Sequence, residues 1–358
     1  MTRIRAAVCH AFGEPLSVQD VELDAPHGRS LEVTLEACAI CHSDISFAEG
    51  IWGGTLPAVY GHEAAGRVTA LGDQVQGVEV GDKVIVTLIR SCGTCRSCAS
   101  GKPTACERPG GPRPLSLPDG GALLAAMNCG AFAEKVVVDQ SQVATVPDDM
   151  PADVASLLSC GVITGIGAVV NAAALRPGQD AVVIGAGGVG LNAIQGARLA
   201  GARRVVAVDM TEDKLSDAAE FGATDGILAT DAAPWQTLVD RIGRKADAVF
   251  VTVGAIPAYD TAPRYLAQGG KLVMVGMPAV GAASAYEPVD FADQSQGMVG
   301  SKMGNVVLSR DIPWLVDLYR QGRLKLDELV SKRWSLDQIN EAIADTKAGK
   351  ARRNVIVF

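Results

Sequence analysis

Aromatic residues, runs of basic charge and long uninterrupted apolar stretches are all scarce in this chain, and each shortage removes a class of function. Phe, Tyr and Trp make up only 4% of the residues against forty glycines, a balance that suits an α/β protein with many tight turns. No basic run occurs and the net charge is −8, which argues against a nucleic-acid-binding surface. The longest apolar stretches, such as 162–175, contain Gly and Asn and fall short of the ~20 residues a membrane span needs. The opening MTRIRAAVCHAFG turns polar too soon for a signal peptide. Nine cysteines without an export signal are expected as reduced thiols and metal ligands of a cytoplasmic protein.

What remains is a chain of 358 residues, 48% apolar, longer than the ~250–300 that one core usually serves, so two domains are expected. The first third reads as strands and turns. LEVTLEAC (Leu31–Cys38) alternates with period two, and VEVGDKVIV (Val78–Val86) sets a Gly-Asp turn before a β-branched run. From about Pro151 onward, strand-like AVVIG, VVAVD, ADAVFVTV and KLVMVG alternate with helical stretches, the pattern of a parallel sheet covered on both faces. Helical segments over Ile312–Gln321 and Leu336–Ala348 and a terminal strand NVIVF close the chain. The expected domains are 1–160, 161–297 and a return of 298–358 to the first.

CGTCRSCASGKPTAC places Cys92, Cys95, Cys98 and Cys106 at spacings that can bring four thiolates round one point. Zn²⁺ takes such a set tetrahedrally and needs no open position in a structural site. An iron–sulfur cluster also uses four cysteines, but the common bacterial run closes after three residues with Cys-Pro, whereas Glu107 follows Cys106 here. Two disulfides could use the same residues, yet a chain this large has no size-driven need of staples.

GAGGVG (Gly185, Gly187, Gly188, Val189, Gly190) fits G-x-G-x-x-G after a strand and before a helix. Gly185 permits the turn, Gly187 lets backbone approach a pyrophosphate, and Gly190 lets helix pack on sheet. The helix start then offers unpaired N–H groups to phosphate. Asp209 ends the next strand, where a carboxylate accepts hydrogen bonds from a ribose and repels a 2′-phosphate, favouring NAD over NADP. Alternatively the glycines serve packing alone and Asp209 caps a helix.

CHSD (Cys41–Asp44), GHE (Gly61–Glu63) and SCGVITG (Ser159–Gly165) hold the remaining chemistry. Cys41, His62 and Cys160 would supply two thiolates and an imidazole with a fourth position open, a known catalytic zinc set. These motifs, the four-cysteine lobe, GAGGVG and AVDMTEDK occur in the order and at about the spacing of the zinc-dependent medium-chain alcohol dehydrogenases, which the chain resembles over nearly its whole length. The resemblance implies a GroES-like β-barrel catalytic domain with a Rossmann domain, one catalytic and one structural Zn²⁺, NAD, and interconversion of a primary alcohol and its aldehyde. It assigns Cys41, His62 and Cys160 to catalytic zinc, Asp44 to orienting the imidazole, and Glu63 to assisting ligand exchange.

On the same basis Ser43 takes the alcohol proton, while Ser46 stands where many relatives end the relay with histidine. His42 is expected on the pyrophosphate, Lys214 on the ribose beside Asp209, and Arg353 on phosphate, with Arg352 as its substitute. Trp52, Ala126 and Met127 fall in the expected substrate wall. His10 and His27 match no motif, and Cys9, Cys38 and Cys129 read as small core residues. The resemblance further implies a homodimer or homotetramer, with no nucleic-acid or membrane partner. Two rival functions stand beside this one. The first is a thiol-dependent formaldehyde dehydrogenase acting on an S-hydroxymethyl adduct, although Trp52-Gly53-Gly54 replaces that branch's acidic residues. The second is a non-catalytic zinc- and nucleotide-binding redox sensor.

Overall fold

The computed structural model describes residues 1–358 as two compact units, Met1–Gly161 with Val307–Phe358, and Val162–Val306. The second unit runs to Val306 rather than 297. Its last strand, Gly297–Gly300, pairs in parallel with Leu266–Met274. The following turn then packs so closely on the helix Ile163–Gly167 that a Cβ on Gly167 would lie 2.4 Å from the Gly304 carbonyl oxygen.

In the first unit, β1 (Ser30–Ala39) carries the alternating run that the sequence shows, and it ends at Ala39. Cys41 caps α1 (His42–Ala48) immediately afterwards. The antiparallel partner β2 (Glu63–Leu71) starts where β1 stops, with Ala39 opposite Glu63. That register puts Cys41 and His62 at the same sheet end, although they are far apart in sequence. The C-terminal strand Arg353–Val357 lies on β1 as well, pairing Val355 with Ala39 and Ile356 with Cys38. Leu31, Val33, Leu35, Val68, Val84 and Val136 fill the interior beneath these strands. Cys9, Cys38 and Cys129 are buried among the same apolar residues.

Residues Ala152–Ala173 form one helical run with two π-helical turns, Leu158–Val162 and Ala168–Ala173. This corrects the expectation that no stretch reaches span length, because glycines inside the run do not break it where neighbours pack on it. By length and composition the run could cross a membrane, but 94% of its apolar stretch is buried inside the fold.

The second unit holds a six-stranded parallel sheet. From one edge the order is Asp225–Leu228, Arg204–Asp209, Asp180–Ile184, Ala246–Val251, Leu266–Met274 and Gly297–Gly300. In chain order these are strands 3-2-1-4-5-6, the doubly wound arrangement of a dinucleotide-binding domain. Its first strand in chain order, β3 (Asp180–Ile184), leads to α2 (Gly188–Leu199) and then β4 (Arg204–Asp209). Val182, Ile184, Val206, Val208, Val249 and Val251 are buried, as central strands covered on both faces require.

Candidate metal centre and dinucleotide turn

Cys41, His62, Glu63 and Cys160 bring one ligand atom each to a common point, all within 4.8 Å of one another. Three elements do this: the cap of α1, the start of β2 with the residue before it, and the π-helical turn that displays Cys160. π turns recur at functional sites because the extra residue re-aims side chains. His62 is fully buried, and its Nδ1 lies 2.8 Å from Asp44 Oδ1. Asp44 also accepts from the Gly61 N–H at 2.9 Å and the Cys41 N–H at 3.0 Å, so one carboxylate aligns both the imidazole and the cysteine. The other ring nitrogen, His62 Nε2, is buried with no hydrogen-bond partner.

A buried orphan nitrogen is costly unless something binds it. A divalent metal coordinated by Nε2 and two sulfurs satisfies it, so the donor set fits Zn²⁺. The thiols support this. A hydrogen bond with Cys160, and then His62 close by, hold the Cys41 thiol well below its ordinary pKa despite burial. The same bond and burial push Cys160 well up. Burial opposes charge on His62, but Asp44 and Cys41 outweigh it and raise the imidazole.

Glu63 is fully buried beside this cluster, ion-paired with the buried guanidinium of Arg353. Burial pushes its carboxyl up to about 7 while Arg353 pulls the other way. Its second oxygen, Oε1, has no partner. Arg353 is thus held in the first unit against Glu63, a pairing sequence inspection missed. Gly161 makes room for it, since a Cβ there would stand 2.9 Å from Arg353 Nη2. Arg352 is half-buried and donates to the Glu328 carbonyl oxygen.

Ser43 is half-buried, and its hydroxyl donates to Cys41 Sγ at 3.0 Å. Next to it, His42 is exposed and Ser46 half-buried. Trp52 is half-buried and meets Phe47 edge-on, with ring centroids 5.1 Å apart. Ala126 is buried, and Met127 adopts a left-handed φ of 51° in the turn Ala126–Asn128. A side-chain-bearing residue held there is a strained position that its surroundings must enforce.

In the separate lobe, Cys92, Cys95, Cys98 and Cys106 also place their sulfurs within 4.8 Å of one another, and no cysteine is in a disulfide. Backbone N–H groups point at the sulfurs: Cys95 to Cys92 at 3.3 Å, Cys98 to Cys95 at 3.4 Å, and Arg108 to Cys106 at 3.4 Å. Backbone donors from Thr94 and Cys95 lower the Cys92 thiol to about 6, as a metal-ligating thiolate needs.

In the second unit the glycine turn is built as its spacing suggests. Gly185 has φ +98°, and a Cβ on Gly190 would lie 1.7 Å from the Gly185 carbonyl oxygen. A Cβ on Gly187 would meet nothing within 4 Å, which leaves open space over the start of α2. Asp209 Oδ2 accepts from the Ala186 N–H at 2.6 Å, tying the acid to the turn. Thr252, missed in the sequence, braces the same turn by donating to the Gly185 carbonyl at 2.8 Å. Lys214 is half-buried in the first turn of the helix Glu212–Phe221, whose cap Thr211 accepts from its N–H at 3.4 Å. Open backbone above a helix start is a cradle for pyrophosphate, so a dinucleotide fits here.

A buried cluster of metal-ligating side chains and a Rossmann turn define an oxidoreductase that uses metal and nucleotide. Comparison with known proteins agrees. The family model for the alcohol dehydrogenase GroES-like domain matches residues 28–148, and that for zinc-binding dehydrogenase matches 188–321. The chain is 34% identical to a protein of Amycolatopsis methanolica named NDMA-dependent alcohol dehydrogenase, over 99% of each chain. It is 33% identical to the S-(hydroxymethyl)glutathione dehydrogenase of Paracoccus denitrificans, over 99% of this chain and 100% of that one. Its fold superposes on the benzyl alcohol dehydrogenase of Acinetobacter calcoaceticus with a TM-score of 0.94, at 28% identity over 100% of each chain. The chain belongs to the zinc-dependent medium-chain alcohol dehydrogenase family.

Proposed function

We propose that the protein interconverts a free primary alcohol and its aldehyde, with NAD as hydride partner and two Zn²⁺ per chain. The observation that carries this reading is the buried, partnerless His62 Nε2 among two sulfurs, with Nδ1 held by Asp44. Zinc supplies Lewis acidity that lowers the pKa of an alcohol hydroxyl, and NAD⁺ accepts hydride. Cys41, His62 and Cys160 hold the metal, and Asp44 keeps the imidazole in the tautomer that leaves Nε2 free to ligate. Ser43 Oγ, now on the Cys41 sulfur, would turn from that sulfur and relay the alcohol proton, accepting it while its own hydroxyl proton passes to the next acceptor toward solvent. Glu63 and Arg353 keep one carboxylate oxygen in reserve beside the ligands, in keeping with a part in ligand exchange. Gly187, with Gly188 and Val189 opening the helix, receives the pyrophosphate. His42 and Arg353 contact phosphate, and Asp209 and Lys214 take the adenosine ribose, which selects NAD over NADP. Cys92, Cys95, Cys98 and Cys106 hold the second, structural zinc.

Trp52, Ala126 and Met127 are assigned to the substrate wall. Trp52-Gly53-Gly54 offers no acidic group for the charged ends of a thiol adduct, which supports a free alcohol over an S-hydroxymethyl substrate. The strand Gly297–Gly300 leaves one sheet edge without a neighbour, which supports a homodimer or homotetramer. The deciding experiment follows NADH absorbance with NAD⁺ and a panel of primary, secondary and aromatic alcohols plus S-hydroxymethylglutathione. Turnover of free primary alcohols is the expected result. Activity on the thiol adduct alone, or none from zinc-replete protein, overturns it.

A further inference from the structure

Asn354 follows Arg353 on the C-terminal strand and is fully buried. Its side chain is saturated. Oδ1 accepts from Trp334 Nε1 at 3.2 Å, and Nδ2 donates to Asp345 Oδ2 and Thr346 Oγ1 at 2.9 Å each. These partners come from the strand Val330–Ser335 and the helix Ile339–Lys347, so one amide is clamped between two elements. Asp345 in turn is ion-paired with Lys332, whose Nζ stands 5.5 Å from the Trp334 ring centroid. The network therefore reaches from the surface inward.

The backbone of the same residue faces the metal cluster. The Asn354 carbonyl accepts the Ile40 N–H at 2.9 Å, one residue before Cys41. The strand ladder beside it pairs Val355 with Ala39, so this bond comes where the chain leaves the sheet to enter α1. Ladder ends fray at little cost unless something holds them. One residue earlier, Arg353 pairs with Glu63 across the cluster. The dipeptide thus touches both flanks of the site; its backbone pairs in parallel with the strand Val330–Ser335, and the Asn354 side chain adds a clamp to that strand and to the helix Ile339–Lys347.

We propose that Asn354 is a positioning residue for the catalytic metal cluster, clamping the C-terminal strand so that Cys41 and Glu63 stand in register with His62 and Cys160. This rests on the reading that the cluster holds Zn²⁺. A buried amide that merely satisfies its own core is the plainer alternative, and the two differ in what they do to the metal.

The test is chelator-driven zinc release from the holoenzyme, which separates the two metal sites inside one molecule. Asn354→Ala should speed release from the three-ligand cluster about tenfold, the lower end of what lost outer partners cost a metal site. Release from the four-cysteine lobe should stay as in wild type. Asp345→Asn, half-exposed and remote from the ligands, should shift the same phase in the same direction and carries the test if Asn354→Ala fails to fold. Leu23→Ala, a buried core residue elsewhere in the unit, should lower Tm without changing release from the cluster. Equal acceleration at both sites, or a lowered Tm with unchanged release, overturns the proposal. A wild-type protein that yields zinc only from the lobe overturns the metal reading itself, and the proposal with it.

Discussion

Asp44 accepts three hydrogen bonds with two oxygens, from His62, Gly61 and Cys41, and that crowding of donors makes it hard to replace. Asparagine would turn one acceptor into an N–H donor facing N–H groups. Asp44→Asn should therefore weaken metal binding about 10–100-fold, measured as zinc retention against a chelator, with little change in fold. At Ser43 the hydroxyl is the only feature at stake. Ser43→Ala should lower kcat by roughly 10²–10⁴ while leaving the dinucleotide Kd in place, as stopped-flow and fluorescence titration would show. An unchanged kcat would remove Ser43 from the proton path. The residue types at this site were legible because CHSD and GHE are short and specific. Arg353 against Glu63 was not, because the two are 290 residues apart and neither leaves a periodic signal.

Among the elements, the glycine turn separates two roles that the motif alone runs together. A Cβ on Gly190 would drive into the Gly185 carbonyl, so Gly190→Ala should cost enough packing to lower Tm sharply. Gly187 faces open space, so Gly187→Ala should keep Tm within a few degrees and instead raise the Kd for NAD⁺, read by titration of the folded protein. If both variants behaved alike, the pyrophosphate assignment would fail. At the other end of β3, fully buried Asp180 sits between Arg203 at 2.6 Å and Arg244 at 2.5 Å. Burial raises its carboxyl, but the two arginines win and hold it below its ordinary value. A depressed folded pKa gives stability that is present above the unfolded value near 3.8 and lost as pH falls through the lower folded one. Asp180→Asn should cost roughly 2–4 kcal/mol at neutral pH, discounted because both arginines are half-exposed, and the deficit should shrink below pH 3.8. Denaturant midpoints across that range would show it. Strand alternation and the βα repeat were readable here, whereas Thr252 bracing Gly185 depends on neighbouring strands that no local pattern names.

For the molecule as a whole, the two-unit layout was visible in the change of pattern near Pro151, because a half-covered antiparallel sheet and a doubly covered parallel sheet bury different faces. The unit boundary at Val306 was not, since residues 301–306 carry no periodic pattern and join the second unit through tertiary contacts, among them Gly304 against Gly167 and the Asn171 side chain donating to the Gly304 carbonyl. The helical run Ala152–Ala173 was also underread, because its glycines lower local helix preference while tertiary packing restores it. One measurement tests the account most directly: zinc per chain together with alcohol turnover, for wild type and Cys160→Ala. The account predicts two zinc ions and NAD-linked turnover of a primary alcohol in wild type, and one zinc ion with turnover lost in the variant. Equal metal content in both, or turnover retained in the variant, would contradict it.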